Sequence, residues 1–271
     1  MRLDGDLRVD GVLRSNLALR GYIAGLTYVN GTDATNDLDI AGGCASSNDA
    51  AQASKRMMYL TSALTKQSDA AWAVGSAAGL LDTGAVGNSD YYLWLIMRSD
   101  TGVVDVLCSL SSTAPTMPTN YDYKQLFGWF KRTGGTIVAF DTYETEGGGL
   151  ELIWDVPTLD IDLAATLGAA RRTDAVKVPL NFSTEAHLNV SVHDAGAAVY
   201  AWIYCPDQAD TNPSQTAAPL SNIHITTTTT PIALQMRIRT SATGTIAAED
   251  AAVTIDNYRV STMGFKWARR N

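Results

Sequence analysis

The 271-residue sequence predicts a mainly β protein in three parts. These are an N-terminal amphipathic strand segment (1–30), a mixed β domain with one short helix (31–145) and a C-terminal β-sandwich of jelly-roll type (150–271). Three observations predict it. Apolar and polar residues alternate with period two in several windows, which places them on opposite faces of strands. The apolar runs are short and are punctuated by Gly, Asn, Asp and Pro, a rhythm that suits sandwiches and barrels. Charged residues make up only 18% of the chain against 46% hydrophobic, so part of the surface is expected to pack against other copies.

The N-terminus carries the cleanest alternation. Leu3, Gly5, Leu7, Val9, Gly11 and Leu13 hold the odd positions, while Arg2, Asp4, Asp6, Arg8, Asp10 and Arg14 hold even ones. Leu17 and Leu19 resume the apolar row after a Ser15-Asn16 turn. One strand cannot bury such a row by itself. Leu3, Leu7, Val9, Leu13, Leu17 and Leu19 are therefore the expected interface of a homo-oligomer, with an ordinary edge strand as the alternative.

Residues 31–56 read as loop, from Asn30-Gly31 to Ser46-Ser47-Asn48-Asp49. A strand follows over 57–62. The spacing of Leu64, Asp69 and Trp72, with Thr65 as a cap, predicts a helix over 64–73 that Gly75, Gly79 and Gly84 end. Residues 91–97 form a continuous apolar run, as in a strand buried on both faces. Asp100-Thr101-Gly102 and Thr133-Gly134-Gly135 read as hairpin turns. Glu146-Gly147-Gly148-Gly149 reads as a flexible domain boundary. Beyond it, strands are expected over 150–154, 159–163, 199–204 and 253–265. Leu188, Val190 and Val192 alternate with His187, Asn189, Ser191 and His193. Ile232, Leu234, Met236 and Ile238 alternate with Gln235, Arg237 and Arg239 in the same way.

Composition and motifs narrow the chemistry. A net charge of −8 and a pI near 4.8 argue against nucleic acid and anionic membrane as partners. No apolar stretch is long enough for membrane insertion, and Arg2, Asp4, Asp6 and Arg8 interrupt any leader-like core. Cys44, Cys108 and Cys205 are scattered, as packed thiols of a reducing compartment would be. Lys266, Arg269 and Arg270 read as a solvated basic end. The sequence contains neither a phosphate-binding Gly-rich loop nor a nucleophile elbow, so no enzyme and no cofactor are expected.

His187 and His193 share one strand side but have no third ligand at a recognisable spacing, so no metal is expected; His224 stands alone in a loop. Asp33, Asn36, Asp37 and Asp39 read as turn formers rather than a calcium loop. Asp160 and Asp162 form a carboxylate pair on one strand side. Trp94, Trp129, Trp154 and Trp202 are expected in the core, with Tyr121, Tyr123 and Tyr258 nearer the loops. Recognition is expected on the polar loop over 206–221, at Asp207, Gln208, Asp210, Asn212 and Gln215.

One ordered series of segments has a wider echo. Gly21-Tyr22-Ile23-Ala24-Gly25-Leu26 precedes Asn36-Asp37-Leu38-Asp39-Ile40-Ala41-Gly42-Gly43 and Asp69-Ala70-Ala71-Trp72-Ala73. Leu81-Asp82-Thr83-Gly84, Tyr92-Leu93-Trp94-Leu95-Ile96, Ala114-Pro115-Thr116-Met117-Pro118 and Trp154-Asp155-Val156-Pro157 follow in order. This succession resembles a group of tailed-phage and prophage proteins described as tail-fibre-like or virion proteins, over most of the chain after about residue 20. The resemblance implies a virion protein assembled in the bacterial cytoplasm: a homotrimeric fibre or spike subunit. It would contact other tail, neck or head proteins and attach to a host-surface glycan or protein. It supplies no catalytic residues. The short section before residue 20 equally suits an architectural head, neck or tail decoration or connector protein with no receptor binding. A glycan depolymerase is a third class, for which the sequence shows no acid pair across a cleft.

Overall fold

The computed structural model describes residues 21–48, 55–196, 198–211, 223–225, 231–251 and 255–269. Leu3, Leu7, Val9, Leu13, Leu17, Leu19, Asn212 and Gln215 lie outside the described residues. Among those residues the chain is nearly all β, as its alternation predicts, with no α-helix.

The first half contains β1 (Ile23–Gly25), β2 (Tyr28–Asn30), β3 (Asp37–Ile40), β4 (Gly43–Ser46), β5 (Met57–Leu60) and β6 (Leu64–Ala71). It continues with β7 (Ala78–Leu81), β8 (Asp90–Arg98), β9 (Val104–Ser109), β10 (Tyr121–Thr133) and β11 (Thr136–Ile137). A three-stranded sheet runs β1-β4-β5, and an eight-stranded sheet runs β11-β10-β8-β9-β7-β6-β3-β2. The apolar run over 91–97 is the buried centre of β8, paired with β9 and β10 on its two sides.

Two expectations fail in this half. The helix expected over 64–73 is strand β6. Its buried positions are Lys66 and Ser68, so neither face looks apolar in sequence. The loop expected over 31–56 contains β3 and β4, where Leu38, Ile40, Ala45 and Ser46 are buried among polar and small neighbours. Asp33 does form a turn: its Oδ1 accepts the Thr35 amide at 3.0 Å and its Oδ2 accepts the Asn36 amide group at 3.1 Å.

The second half contains β12 (Phe140–Thr145), β13 (Gly149–Leu167), β14 (Arg172–Ala175), β15 (Glu185–His193) and β16 (Val199–Tyr204). Then come β17 (Ile223–Ile225), β18 (Ile232–Arg239), β19 (Thr245–Asp250) and β20 (Ile255–Trp267). One sheet runs β12-β13-β20-β15-β18 and the other runs β14-β19-β16-β17. From β13 onward the first strand pairs with the eighth, the third with the sixth, the second with the seventh and the fourth with the fifth. That winding is a jelly roll, with β12 added beside its first strand. Leu188, Val190 and Val192 are buried, as their alternation predicts.

Four readings of this half need correction. The segment 146–149 is no hinge: it is a single 3-10 turn closing the β12–β13 hairpin, with Thr145 paired to Gly149. A Cβ on Gly148 would collide with the Ile23 carbonyl, so the run of glycines serves close backbone approach. The boundary expected at 145–150 therefore falls inside a hairpin. Second, 150–154 and 159–163 belong to one long strand, β13, with irregular register. One irregularity, between Leu159 and Ile161, separates the two carboxylates. Asp160 is half-buried and accepts the Lys177 amide at 3.0 Å, whereas Asp162 is exposed and pairs with Arg259 at 2.5 Å. Third, Ile232 and Leu234 of the alternating strand β18 are exposed, because β18 is the sheet's edge. Fourth, Arg269 is buried rather than solvated.

One hydrophobic core runs through both halves. Trp129 of β10 meets Trp154 of β13 at 5.9 Å and Phe265 of β20 at 5.7 Å, both edge to face. Tyr28 of β2 accepts the Trp129 amide at 2.8 Å, and the Tyr28 amide donates to Thr142 of β12 at 2.8 Å. Arg269 donates to the carbonyls of Gly25, Leu26, Gly148 and Gly149 at 2.7–3.4 Å. The inner face of the second sheet of the jelly roll, with Val199, Ala201, Ile203 and Ile246, joins this same core.

Candidate carbohydrate-recognition face

Strand β16 reads Val199-Tyr200-Ala201-Trp202-Ile203-Tyr204. Side chains alternate across a strand, and here both rows are apolar. Val199, Ala201 and Ile203 fill the sandwich core. Tyr200, Trp202 and Tyr204 stand on the outer face, opposite that core. Trp202 is half-buried there, not in the core where its apolar neighbours suggested. The other three tryptophans expected inside are buried, and so are Tyr121 and Tyr258, which were expected nearer the surface.

The outer row is organised by stacking. The Trp202 and Tyr204 rings lie parallel, with centroids 3.7 Å apart. The Arg171 guanidinium covers the Tyr204 ring at 5.4 Å. One strand away, His224 stacks on Tyr200 at 4.6 Å; it lies in β17, not in a loop. The indole of Trp202 stacks on Tyr204 with one face, and Trp202 as a whole is partly exposed.

Arg171 also shapes the loop that follows β16. Its guanidinium donates to the Pro206 carbonyl and, at 3.3 Å, to the Gln208 carbonyl. That grip holds Asp207, Gln208 and Asp210, the expected recognition residues, at the end of the aromatic row, and all three are exposed. A cleft of about 510 Å³ at this edge of the sandwich is lined by Trp202, Tyr204, Asp207 and Gln208 and, from β18, by Arg237 and Arg239.

Beside the row, on the same face, lies Glu249 of β19, fully buried and paired in register with Trp202. It accepts the Tyr204 hydroxyl. Burial pushes the Glu249 carboxyl above its ordinary value; the Tyr204 bond opposes the rise and the Asp210 carboxylate beside it adds to it. Burial and the same bond raise the Tyr204 phenol. The native chain therefore holds the Glu249 proton at pH values where the unfolded chain has lost it. That contribution to stability is complete below pH 4.5 and is lost as pH rises through the raised native value. Glu249→Gln keeps an acceptor for Tyr204 and removes the titration. Calorimetric scans from about pH 4 to 8 are expected to show a flatter stability profile for the variant. Parallel profiles would refute the assignment.

The remaining sequence candidates do not assemble. His187 lies at 3.4 Å from Glu151 and 3.8 Å from Glu185 on the outer face of the other sheet. Burial, outweighing these carboxylates, holds it below the usual imidazole value. Sequence reasoning found the polar loop but missed the aromatic row. The one signal available was Tyr200, Trp202 and Tyr204 at spacing two, and their equally apolar neighbours masked it.

No protein-family model, no curated protein and no solved structure matches the chain.

Proposed function

We propose that this chain is a structural, non-enzymatic subunit of a tailed-phage virion, displayed as a homo-oligomer, that attaches the particle to carbohydrate on the host surface. The observation that carries this reading is the outer row of β16. A half-exposed indole offers an apolar face to a sugar ring, and Asp207, Gln208 and Asp210 offer hydrogen-bonding groups at its end. Arg171 holds the Pro206 and Gln208 carbonyls, which fixes the start of the loop, where Asp207 and Gln208 lie, before any ligand binds. Binding loops on a rigid β scaffold, and jelly rolls among lectin and capsid domains, support the reading by analogy. A trimer and a virion location come from the sequence resemblance and from the alternating residues before position 20.

Recognition without catalysis fits the carboxylates. Asp210 and Glu249 approach to hydrogen-bonding reach. Glycoside cleavage places two carboxyl groups roughly 5–9.5 Å apart on either side of the scissile bond.

The alternative, an architectural decoration or connector protein, is favoured by a different observation: Ile232 and Leu234 are 39% and 37% exposed on β18, the edge strand of its sheet among the described residues. One experiment separates the two readings. Labelled protein is titrated onto intact host cells, and virion adsorption is measured in competition. Attachment predicts saturable binding that blocks adsorption, and a loss of about tenfold or more in Trp202→Ala, read at a temperature where calorimetry shows the variant still folded. A folded protein that does not bind cells would favour the architectural role.

A further inference from the structure

We infer, building on the carbohydrate reading above, that the end of the β16 row selects saccharides carrying a protonated amine. Three carboxyl groups gather there. Glu249 stands beside Trp202, and its Oε1 accepts the Tyr204 hydroxyl. Its Oε2 is buried and receives no hydrogen bond. The Asp210 carboxyl lies within hydrogen-bonding reach of Glu249 and acts on Tyr204 as well. Asp207 lines the cleft together with Trp202 and Tyr204. Asp207 and Asp210 are exposed, and among the described residues none of the three carboxyls makes a salt bridge. Arg171 is the cation that acts on both Tyr204 and Glu249, and its N–H groups go to the Pro206 and Gln208 carbonyls. Asp207 and Asp210 alone outnumber it, so the end of the row stays acidic. Arg237 and Arg239 do not offset this charge: they pair in register with His187 and Glu185 on the outer face of the other sheet.

The rings favour the same ligand. An aromatic face attracts a cation through its quadrupole, and the Tyr204 ring already holds one, the Arg171 guanidinium at 5.4 Å. Trp202, whose indole binds cations more strongly than a phenol does, is partly exposed next to the carboxyls. A sugar ring against the indole would bring an ammonium substituent to Asp207, Asp210 and the Glu249 Oε2. An ammonium carries three donors and no acceptor, which suits a site made of acceptors. The charge of the whole chain, −8, acts in the same direction by drawing cationic ligands in and repelling acidic ones.

The test measures, by calorimetry, binding of the fully deacetylated glucosamine tetramer, its N-acetylated counterpart and tetralysine to the intact chain and to Asp207→Asn/Asp210→Asn. Both aspartates are exposed, so the double variant is expected to melt like the parent. At about pH 6, where the amines are protonated, the free-amine tetramer is expected to bind about tenfold more tightly than the N-acetylated one. That preference is expected to disappear in the double variant and to weaken at about 0.5 M salt. Equal affinity for the two saccharides, or a preference that the double variant keeps, would overturn amine selection and leave the carbohydrate reading standing. Tetralysine bound as tightly as the glucosamine tetramer would overturn it in favour of a general attraction for cations. Binding of neither saccharide would also overturn it, and the carbohydrate reading then stands or falls with the effect of Trp202→Ala on cell binding.

Discussion

Replacing Arg269 with Ala is expected to lower the thermal midpoint by on the order of 10 °C. Burial pulls its guanidinium below the ordinary value, yet the group remains charged and its donors go to backbone. Nε donates to Gly148 at 2.7 Å, Nη1 to Gly25 at 3.1 Å and Leu26 at 3.4 Å, and Nη2 to Gly149 at 3.3 Å. Glu144, 3.9 Å from Nη2, also accepts the Gly25 amide at 2.9 Å, so one carboxylate and one guanidinium close the same corner. The Ala variant leaves four carbonyls without their donor and opens a cavity, at a cost of about 3–5 kcal/mol. Arg269→Lys is expected to recover less than half, because an ammonium is a point charge and cannot reach four acceptors in a plane. Differential scanning calorimetry of the three proteins decides it. A midpoint within about 2 °C of the parent for the Ala variant would show that water replaces the guanidinium without loss.

A comparable loss, about 3–5 kcal/mol, is expected for Lys66→Met in the eight-stranded sheet. Lys66 and Asp105 are 0% and 1% exposed and meet at 2.9 Å. The ammonium also donates to the Ala73 and Gly75 carbonyls at 2.7 and 3.1 Å. Asp105 accepts the Gly75 and Val106 amides at 2.6 Å each. The pair therefore ties the β6–β7 connection to β9. Burial depresses the Lys66 ammonium, and Asp105 opposes that shift. Met fills the volume but strands the Asp105 carboxylate in the dry interior. The double variant Lys66→Met/Asp105→Leu removes both charges, and is expected to regain a large part of the loss while the 72–77 connection loosens. Urea unfolding of the parent, Lys66→Met, Asp105→Leu and the double variant gives the coupling directly. Additive losses would show that the two groups act separately.

These two residues also mark where the sequence was readable and where it was not. Strands whose inner row is apolar and outer row polar, such as β15 with Leu188, Val190 and Val192, were legible because water sorts the rows. The buried run of β8 and the hairpin turns around it were legible for similar local reasons. β6 was not, since its inward side chains are an ammonium and a hydroxyl whose burial depends on Asp105 and Arg132, 39 and 64 residues away. The loop at Asp207, Gln208 and Asp210 was visible from composition. Its aromatic neighbour was hidden because both rows of β16 are apolar, and only the opposite sheet decides which row is inside. Arg269 looked like a solvated end for the same reason: its partners are long-range backbone oxygens, which leave no local trace.

The interlock of the two halves also bears on time. Arg269 reaches a carbonyl 244 positions away, and Tyr28 bonds residues 101 and 114 positions away. Such closures come after most of the chain has been ordered, so each costs loop entropy before it returns any contact. Folding by this route is expected to be slow, and so is its reversal, because contacts made last lie on the native side of the barrier and hold unfolding back. The durability of this protein is then set by an escape rate as much as by an equilibrium.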